Sequence, residues 1–486
     1  MAYKSLADFL DELAQAGEVA HVSAQVDPHL EIAEITRRVA AAGGPALLFD
    51  RVRSQSIAVV TNLLGTDARA CRALGIESLD AIAWRIETLI EEHTPQNWFD
   101  RLKMSPDEAG ANKFLPKSVK SGVCQQVVHL GRDVNLATFP LIKSWPGESG
   151  PAITGGTLIT GDRDALARGA SPTPLVALDE NRLAVVDDGH SVFSRHWTDH
   201  QAAGQRMAAA IVLGGDPAGV VAANLELPAL IDAYQAAGLL RGKALEVVKC
   251  RTHGLEVPAE ADLVFEGYLD PQVPCVTIAA AGAGGSHYRV PRPAPVFHVA
   301  AITHRTRPIF PALVDSGLAG EAGVLVKARE RMLLPALANV APDVVDLHLP
   351  LLGGLHRFAF VSIRKRYPFH ARQIAAALWG TEALKFTKFL ILVDHDANVH
   401  DANRVWGLVG ANVAPERDVF PFDGPGHSSD HANGPAPLGR HLAIDATAKL
   451  AGEQPGTWPE MLDVGEETRH QVTSRWAEYK LATQEK

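Results

Sequence analysis

The densest run of chemically capable side chains in the sequence is Gly189-His-Ser-Val-Phe-Ser-Arg-His-Trp-Thr-Asp-His200. His196 and His200 share a face if the run is helical; His190 and His196 share one if it is extended. Three chemistries stay open: ordinary hydrogen-bonded histidines, recognition of a phosphate or carboxylate, and metal ligation. Arg195 favours the anion, because a guanidinium fork holds two oxygens at once. Metal ligation needs a carboxylate aimed at the same point as the imidazoles.

A second candidate follows the glycine-rich stretch 282–285, where His287, Tyr288 and Arg289 stand in a row. Small residues allow a ligand close to the backbone, but they also build tight packing turns. Leu213-Gly-Gly-Asp-Pro217 has neither the glycine spacing of a dinucleotide fingerprint nor the Lys-Ser/Thr end of a phosphate loop, which leaves a plain turn or a ligand-adjacent one. Asp394-His-Asp396 and His400-Asp401 look metal-like, yet they follow the apolar run Phe389–Val393 and read as a polar turn with charged pairs. Asp423-Gly-Pro-Gly-His-Ser-Ser-Asp-His431 reads as a lid or interface loop.

Several classes are excluded. No nucleophile elbow, zinc-protease helix or serine triad pattern is present. A formal charge of -10 speaks against a grip on nucleic acid or an anionic membrane surface. No segment reaches the run of about 18–20 apolar residues that spans a bilayer. The N-terminus carries acids inside its apolar pattern, so it reads as a helix rather than a signal peptide. Cys71, Cys124, Cys250 and Cys275 form no paired-thiol or zinc spacing, and a reduced cytoplasm fits them best.

At 486 residues the chain should hold two or three domains. Helical periodicity over 4–17, stopped by Gly17, is followed by a helix at Ile32–Arg38, strands at Ala46–Phe49 and Ile57–Val60, and a helix at Leu79–Glu92. Residues 105–130 read as an irregular link. From 125 to 300 short strands follow one another (Leu175–Leu178, Ala208–Leu213, Ala244–Val248, Leu263–Phe265, Val296–Val299), with one helix at Ala229–Ala237. That rhythm points to a largely antiparallel β body. Helix and strand then alternate: Leu333–Ala341, Val344–His348, Ala359–Ile363, Ala371–Leu378, Phe389–Val393. A charged helix near 463–483 closes the chain. The expected domains are 1–115 (N-terminal α/β), 116–320 (central β), 321–460 (C-terminal α/β) and 461–486 (helical tail).

Leu213–Pro217, Leu239-Leu-Arg-Gly-Lys243, Glu246–Asp270, Pro291–Phe297, Ile302-Thr-His-Arg305, Val361-Ser-Ile-Arg-Lys-Arg366, Asp394–Asp401, Pro415–Val419 and Leu442–Lys449 occur in an order that resembles the UbiD family of decarboxylases. The likeness covers nearly the whole chain. It implies an α/β fold with a central, mainly antiparallel split β-barrel that carries a flavin, between an N-terminal α/β domain and a C-terminal α/β domain involved in dimer formation. It also implies prenylated FMN, with Mn2+ and K+, as cofactors. His190 falls on the family's metal-binding histidine. Lys388, just ahead of the Asp394 segment, is placed to contact an anion, so a flavin phosphate is expected near His190 and Lys388, with Arg195 and His196 as further cofactor contacts.

The same resemblance marks departures. The family's asparagine and arginine have no counterparts in Ala152–Leu158. Its metal-associated glutamate falls on Ala233, and its acidic active-site segment falls on Ile278-Ala-Ala-Ala-Gly-Ala283. A protonated glutamate there supplies the proton that replaces the departing carboxylate, and alanine cannot. Two functions follow from the likeness. One is nonoxidative decarboxylation of an aromatic or conjugated acid, with a phthaloyl-type thioester as one bulky member of the class, in which Arg289 pairs with a carboxylate and His287 handles the proton. The other is a noncatalytic UbiD-like structural or regulatory subunit of a heteromeric decarboxylase. A homodimer or larger assembly of dimers is expected in either.

Overall fold

The computed structural model describes residues 2–85, 113–163, 168–187, 189–224, 232–282, 287–316, 319–355, 357–427, 430–433, 438–454, 456–459, 462 and 464–479. The first helix, Leu6–Gln15, starts where the Ser5 hydroxyl accepts from Asp8 N, and it buries Leu6, Phe9, Leu10 and Leu13, the i, i+3, i+4, i+7 stripe of an amphipathic helix. It ends at Ala16, and Gly17 follows at φ +73°. The N-terminal sheet orders Val19–Val22, Ala46–Phe49, Ala58–Thr61 and Ile309–Pro311. Its last strand arrives from far along the chain, inside the segment 116–320, and pairs parallel with Ala58–Thr61.

The centre is a curled antiparallel half-barrel of nine strands. Their order is Ala152–Ile153, Leu175–Ala177, Arg182–Val185, Val296–His304, Leu263–Leu269, Met207–Leu213, Thr157–Gly161 and Arg168–Ser171, with Val127–Leu130 also pairing with Val296–His304. Leu263–Leu269 lies mid-sheet and is buried on both faces. Phe265 joins an inner cluster with Phe193, Ile211 and Phe297, while Val264 joins an outer one with Ala210, Val247 and Val257. The outer cluster is continuous with Leu6–Leu13 and with Leu333, Ala359 and Leu390, so one apolar layer ties the N-terminal helix and the C-terminal domain to the barrel.

The C-terminal sheet orders Val344–His348, Phe358–Ile363, Phe389–Asp394, Leu438–Asp445 and Val419–Pro425, parallel in its middle and antiparallel at both edges. Boundaries differ from the sequence reading in identifiable places. Helix Glu321–Val340 begins well before Leu333 and runs through Pro335. The helix expected at Ala229–Ala237 is Ala233–Arg241, capped by Asp232, and residues 229–231 lie outside the described ones. Of Leu79–Glu92, residues 81–85 are helical and those beyond 85 lie outside the described residues, as do 105–112 of the expected link. The tail holds a helix at Glu466–Ser474 that buries no side chain. None of the helices described is long and apolar enough to cross a membrane.

Candidate active site

The loop between strand Arg182–Val185 and helix Val192–Ala202 delivers His190. Ser191 caps the helix by accepting from Ser194 N at 3.0 Å. The Asp187 carboxylate gathers Gly189 N at 2.9 Å, the Ser191 hydroxyl at 2.6 Å and the Ser194 hydroxyl, while Gly189 supplies a φ of +88°. This clamp fixes where His190 leaves the backbone. Its imidazole lies 4.4 Å, centroid to centroid, from Phe386 of the C-terminal domain, and His427 meets the same Phe386 ring edge-on at 5.0 Å.

His427 opens a segment that reaches the other candidates. Asp430 N donates to the His427 carbonyl at 2.9 Å, and the Asp430 carboxylate pairs with Lys388 Nζ at 3.2 Å. His431, the next residue, stacks on His287 at 4.0 Å. In the stretch read from sequence as a lid or interface, Asp430 contacts the C-terminal domain's Lys388 and His431 contacts the central domain's His287, while residues 428–429 lie outside the described ones. His190 shares the Phe386 ring with His427.

His287, Tyr288 and Arg289 sit on a hairpin arm whose strands are Val276–Ile278 and Arg292–Ala294, extended by a bridge from Ala281 to Tyr288. The arm is tied down by Ala279, which exchanges bonds with Ser149 at 2.8 and 2.9 Å, and by the Tyr288 hydroxyl, which accepts from Gly147 N at 2.9 Å. Arg289 turns its Nε onto the Ala281 carbonyl at 3.2 Å. Ile278 and Ala280 are buried in an apolar cluster with Ala152, Val176, Ala184, Val186 and Ala294, so the first half of the alanine stretch packs against the barrel instead of opening a cleft. A carboxylate at 278 would be a buried charge among alkyl groups. Residues 283–286 lie outside the described ones.

Arg195 and His196 go elsewhere. The run containing them is a helix, and Arg195 is on its exposed face. His196 is buried with Nδ1 2.9 Å from the Thr160 hydroxyl of the barrel, and burial pushes its pKa below the usual imidazole range. His200 Nδ1 donates to the His196 carbonyl at 2.9 Å. Their bonds are those of packed histidines. The Gly214-Gly215 turn, with φ of +71° and +85°, serves the helix Pro217–Ala223, whose cap Asp216 is buried against Arg241 at 3.2 Å. Asp394 closes strand Phe389–Asp394 and accepts from Ala448 N at 2.7 Å, and the polar turn begins at His395.

Three groups were not legible in the sequence. Phe386 and Asp187 carry no motif. Asp232, next to the alanine where the family glutamate falls, pairs with Arg168 at 3.2 Å, and Arg168 also reaches Glu256 at 3.2 Å and lies over the Tyr234 ring at 4.3 Å. The sequence signal was a neighbouring acid, offset by a residue.

The residues present offer contacts to a phosphorylated planar ligand. Lys388 and His190 can meet an anion, Phe386 and His427 offer ring faces, and Thr154 Oγ1 is buried without a partner between two barrel strands. Next to it the backbone is so close-packed that a Cβ on Gly155 would meet the Pro311 carbonyl at 2.5 Å. Among the described residues, neither group of three potential metal ligands includes His190.

Comparison with known proteins gives a consistent picture. Models of the 3-octaprenyl-4-hydroxybenzoate carboxy-lyase N-terminal, Rift-related and C-terminal domains match residues 10–86, 117–317 and 323–446. An uncharacterized protein of Aquifex aeolicus is 36% identical over 477 residues, 98% of each chain. The closed form of Sedimentibacter hydroxybenzoicus vanillic acid decarboxylase superposes with a TM-score of 0.85 at 23% identity, covering 99% of this chain and 100% of that one, and its open form gives 0.77. The UbiD-class enzyme HmfF of Pelotomaculum thermopropionicum, solved with FMN, gives 0.76 at 25% identity over 96% and 98% of the chains.

Proposed function

This chain belongs to the UbiD family of carboxy-lyases, and from that premise we propose that it decarboxylates an aromatic or conjugated carboxylic acid nonoxidatively, with a prenylated flavin held between its central and C-terminal domains. The observations that support the reading are that His431 stacks on His287 of the hairpin arm, that Asp430 pairs with Lys388, and that His427 and the barrel's His190 meet the same Phe386 ring. HmfF binds FMN and the Sedimentibacter enzyme is a vanillic acid decarboxylase, which favours both the cofactor and the substrate class here. The higher superposition on the closed form supports reading the His190–Phe386 contact as a closed arrangement.

In this proposal Lys388 and His190 hold the flavin phosphate, and the Thr154 hydroxyl bonds a polar atom of the ligand. A flavin held there would supply an acceptor for the electron pair left when the bond to the carboxylate breaks. Arg289 pairs with the substrate carboxylate, the guanidinium fork holding two oxygens at once. His287 supplies the proton that takes the carboxylate's place, with the His431 ring fixing its orientation. The chain works as a homodimer or an assembly of dimers. Helix Ala402–Asn412, which buries only Val405 and leaves Trp406 42% exposed, is suited to the dimer face.

A noncatalytic subunit is the second reading, favoured by one observation: Ile278, where the resemblance puts a catalytic acid, is an apolar packing position. Coexpression with a flavin prenyltransferase, followed by carbon dioxide measurement over a panel of aromatic acids and acyl thioesters, separates the two. Release from at least one member supports the decarboxylase. Clear flavin binding with no release across the panel supports the subunit.

A further inference from the structure

On the outer face of the barrel, away from the segment just described, Cys250, His253 and Glu266 each aim one ligand atom at a common point, with those atoms all within 4.8 Å of one another. Cys250 and His253 belong to the turn between strands Glu246–Lys249 and Glu256–Pro258, closed by Cys250 N donating to the Leu255 carbonyl at 2.8 Å. Glu266 comes from Leu263–Leu269, paired with Ala210 and Ala301 beside a bulge that shifts the register at Gly267. Its neighbours on that face are apolar.

The polar groups here are left half-satisfied. Glu266 is fully buried. One carboxylate oxygen accepts from Thr252 N at 2.9 Å and the Thr252 hydroxyl at 3.0 Å, while the other has no partner. His253 Nε2 lies 3.0 Å from the Ala209 carbonyl and donates to it, which leaves Nδ1 as the lone-pair nitrogen, and Nδ1 is buried with no partner. No Lys or Arg forms an ion pair with Glu266 among the described residues. An unbalanced buried carboxylate beside an idle imidazole nitrogen is costly unless something positive sits between them.

We propose that Cys250, His253 and Glu266 form a structural site for a divalent, thiophilic cation of the Zn2+ type, which pins the Cys250–Leu255 turn to the barrel. Zn2+ bonds thiolate, imidazole and carboxylate at about 2.0–2.3 Å, so its ligands stand about 3.5 Å apart. A contraction of about 1 Å closes the set. Three protein ligands leave a tetrahedral position for water, and the exposed residues Arg251, Thr252 and Gly254 give an entry path. A bound cation of this kind holds its cysteine ligand as the thiolate. The ligating nitrogen is oriented because the other one is fixed on Ala209, the usual arrangement for a metal-bound histidine. A search for paired cysteines passes over this site, because its chelating unit is Cys-x-x-His with the third ligand on another strand.

The other three-ligand group, Glu330, His348 and His400, lacks these features. Glu330 already accepts from His348 at 3.0 Å and from Leu349 N at 2.6 Å, and the Arg331 guanidinium stands 3.3 Å from His400.

The test uses the full chain stripped with a chelator and titrated with Co2+ and Zn2+, and it reads no turnover. The expected result is one strongly bound equivalent and a near-ultraviolet thiolate-to-cobalt charge-transfer band. The band should vanish in Cys250→Ser, and affinity should fall at least tenfold in His253→Asn and in Glu266→Gln. It should persist in Cys275→Ala, which removes the exposed cysteine, and in His190→Ala. Two conservative variants besides Cys250→Ser keep the test decisive if that one folds poorly. Absence of the band in the wild-type chain, or a band that survives Cys250→Ser and is lost in Cys275→Ala, overturns the site.

Discussion

The rings of His190 and Phe386 lie 4.4 Å apart at a tilt of 51°, one carried by the barrel and the other by the C-terminal domain. A contact of this kind makes the position of a barrel histidine depend on a residue almost two hundred positions away in the chain. Phe386→Ala should therefore weaken flavin binding by roughly tenfold, the equivalent of about 1.4 kcal/mol and within reach of one aromatic pair. His190→Ala should weaken it further. Fluorescence titration with FMN measures both, and unchanged affinity in His190→Ala removes the histidine from the cofactor site.

The Gly214-Gly-Asp-Pro217 turn is assigned to structure. Asp216 caps its helix, accepts from Tyr3 N at 2.9 Å and pairs with a buried Arg241. Arg241 keeps a second carboxylate partner in Glu260, so Asp216→Ala, which removes the helix cap and one side of the pair, should cost about 1–3 kcal/mol in denaturant unfolding. FMN affinity of the protein that remains folded should not change.

The fold was legible because long apolar runs with turn residues between them have few arrangements. Ala208–Leu213 and Leu263–Phe265 read as short strands of an antiparallel body, and they pair with one another in the middle of the sheet. The long helix Glu321–Val340 was read only from Leu333 onward, since the charges at Lys327–Arg331 mask the period of its first part. The site was harder. His190, His287 and Lys388 were found as residue types in suggestive places, but the residues that meet them, Phe386, His431 and Asp430, are far from them in sequence or carry no motif. His196 looked equally promising and is held by Thr160, a contact that no spacing rule encodes. Glu266 was passed over because in sequence it is one acid inside an apolar strand.

Glu321 begins the long helix, fully buried, with its carboxylate accepting from Leu64 N at 3.0 Å. Burial raises its pKa from 4.5 to about 6. A raised folded-state value means a stability contribution fully present below about pH 4.5 and lost as pH rises through about 6. Compared with Glu321→Gln, which keeps an acceptor and does not titrate, the wild-type chain should lose about 2 kcal/mol across that window. Chemical denaturation of both proteins at several pH values from 4.5 to 7 checks the sign. A constant difference would remove Glu321 as a titrating group.

His287 and Arg289 should separate kinetically. His287→Ala should lower kcat by roughly a hundredfold, the lower end for loss of a general acid. Arg289→Ala should act mainly on KM, since its role is to hold a carboxylate. Steady-state rates with any accepted acid distinguish them, and turnover unchanged in both variants takes the arm out of the mechanism.

Replacement of a carboxylate by a solvent proton is the central claim, and deuterium incorporation reads it directly. The wild-type chain, matured with prenylated flavin and given an aromatic or conjugated acid in D2O, should yield product carrying deuterium at the carbon that lost carbon dioxide, one deuteron per carbon dioxide released. Mature cofactor bound stoichiometrically, with neither deuterated product nor carbon dioxide from any acid or thioester in the panel, would contradict the account.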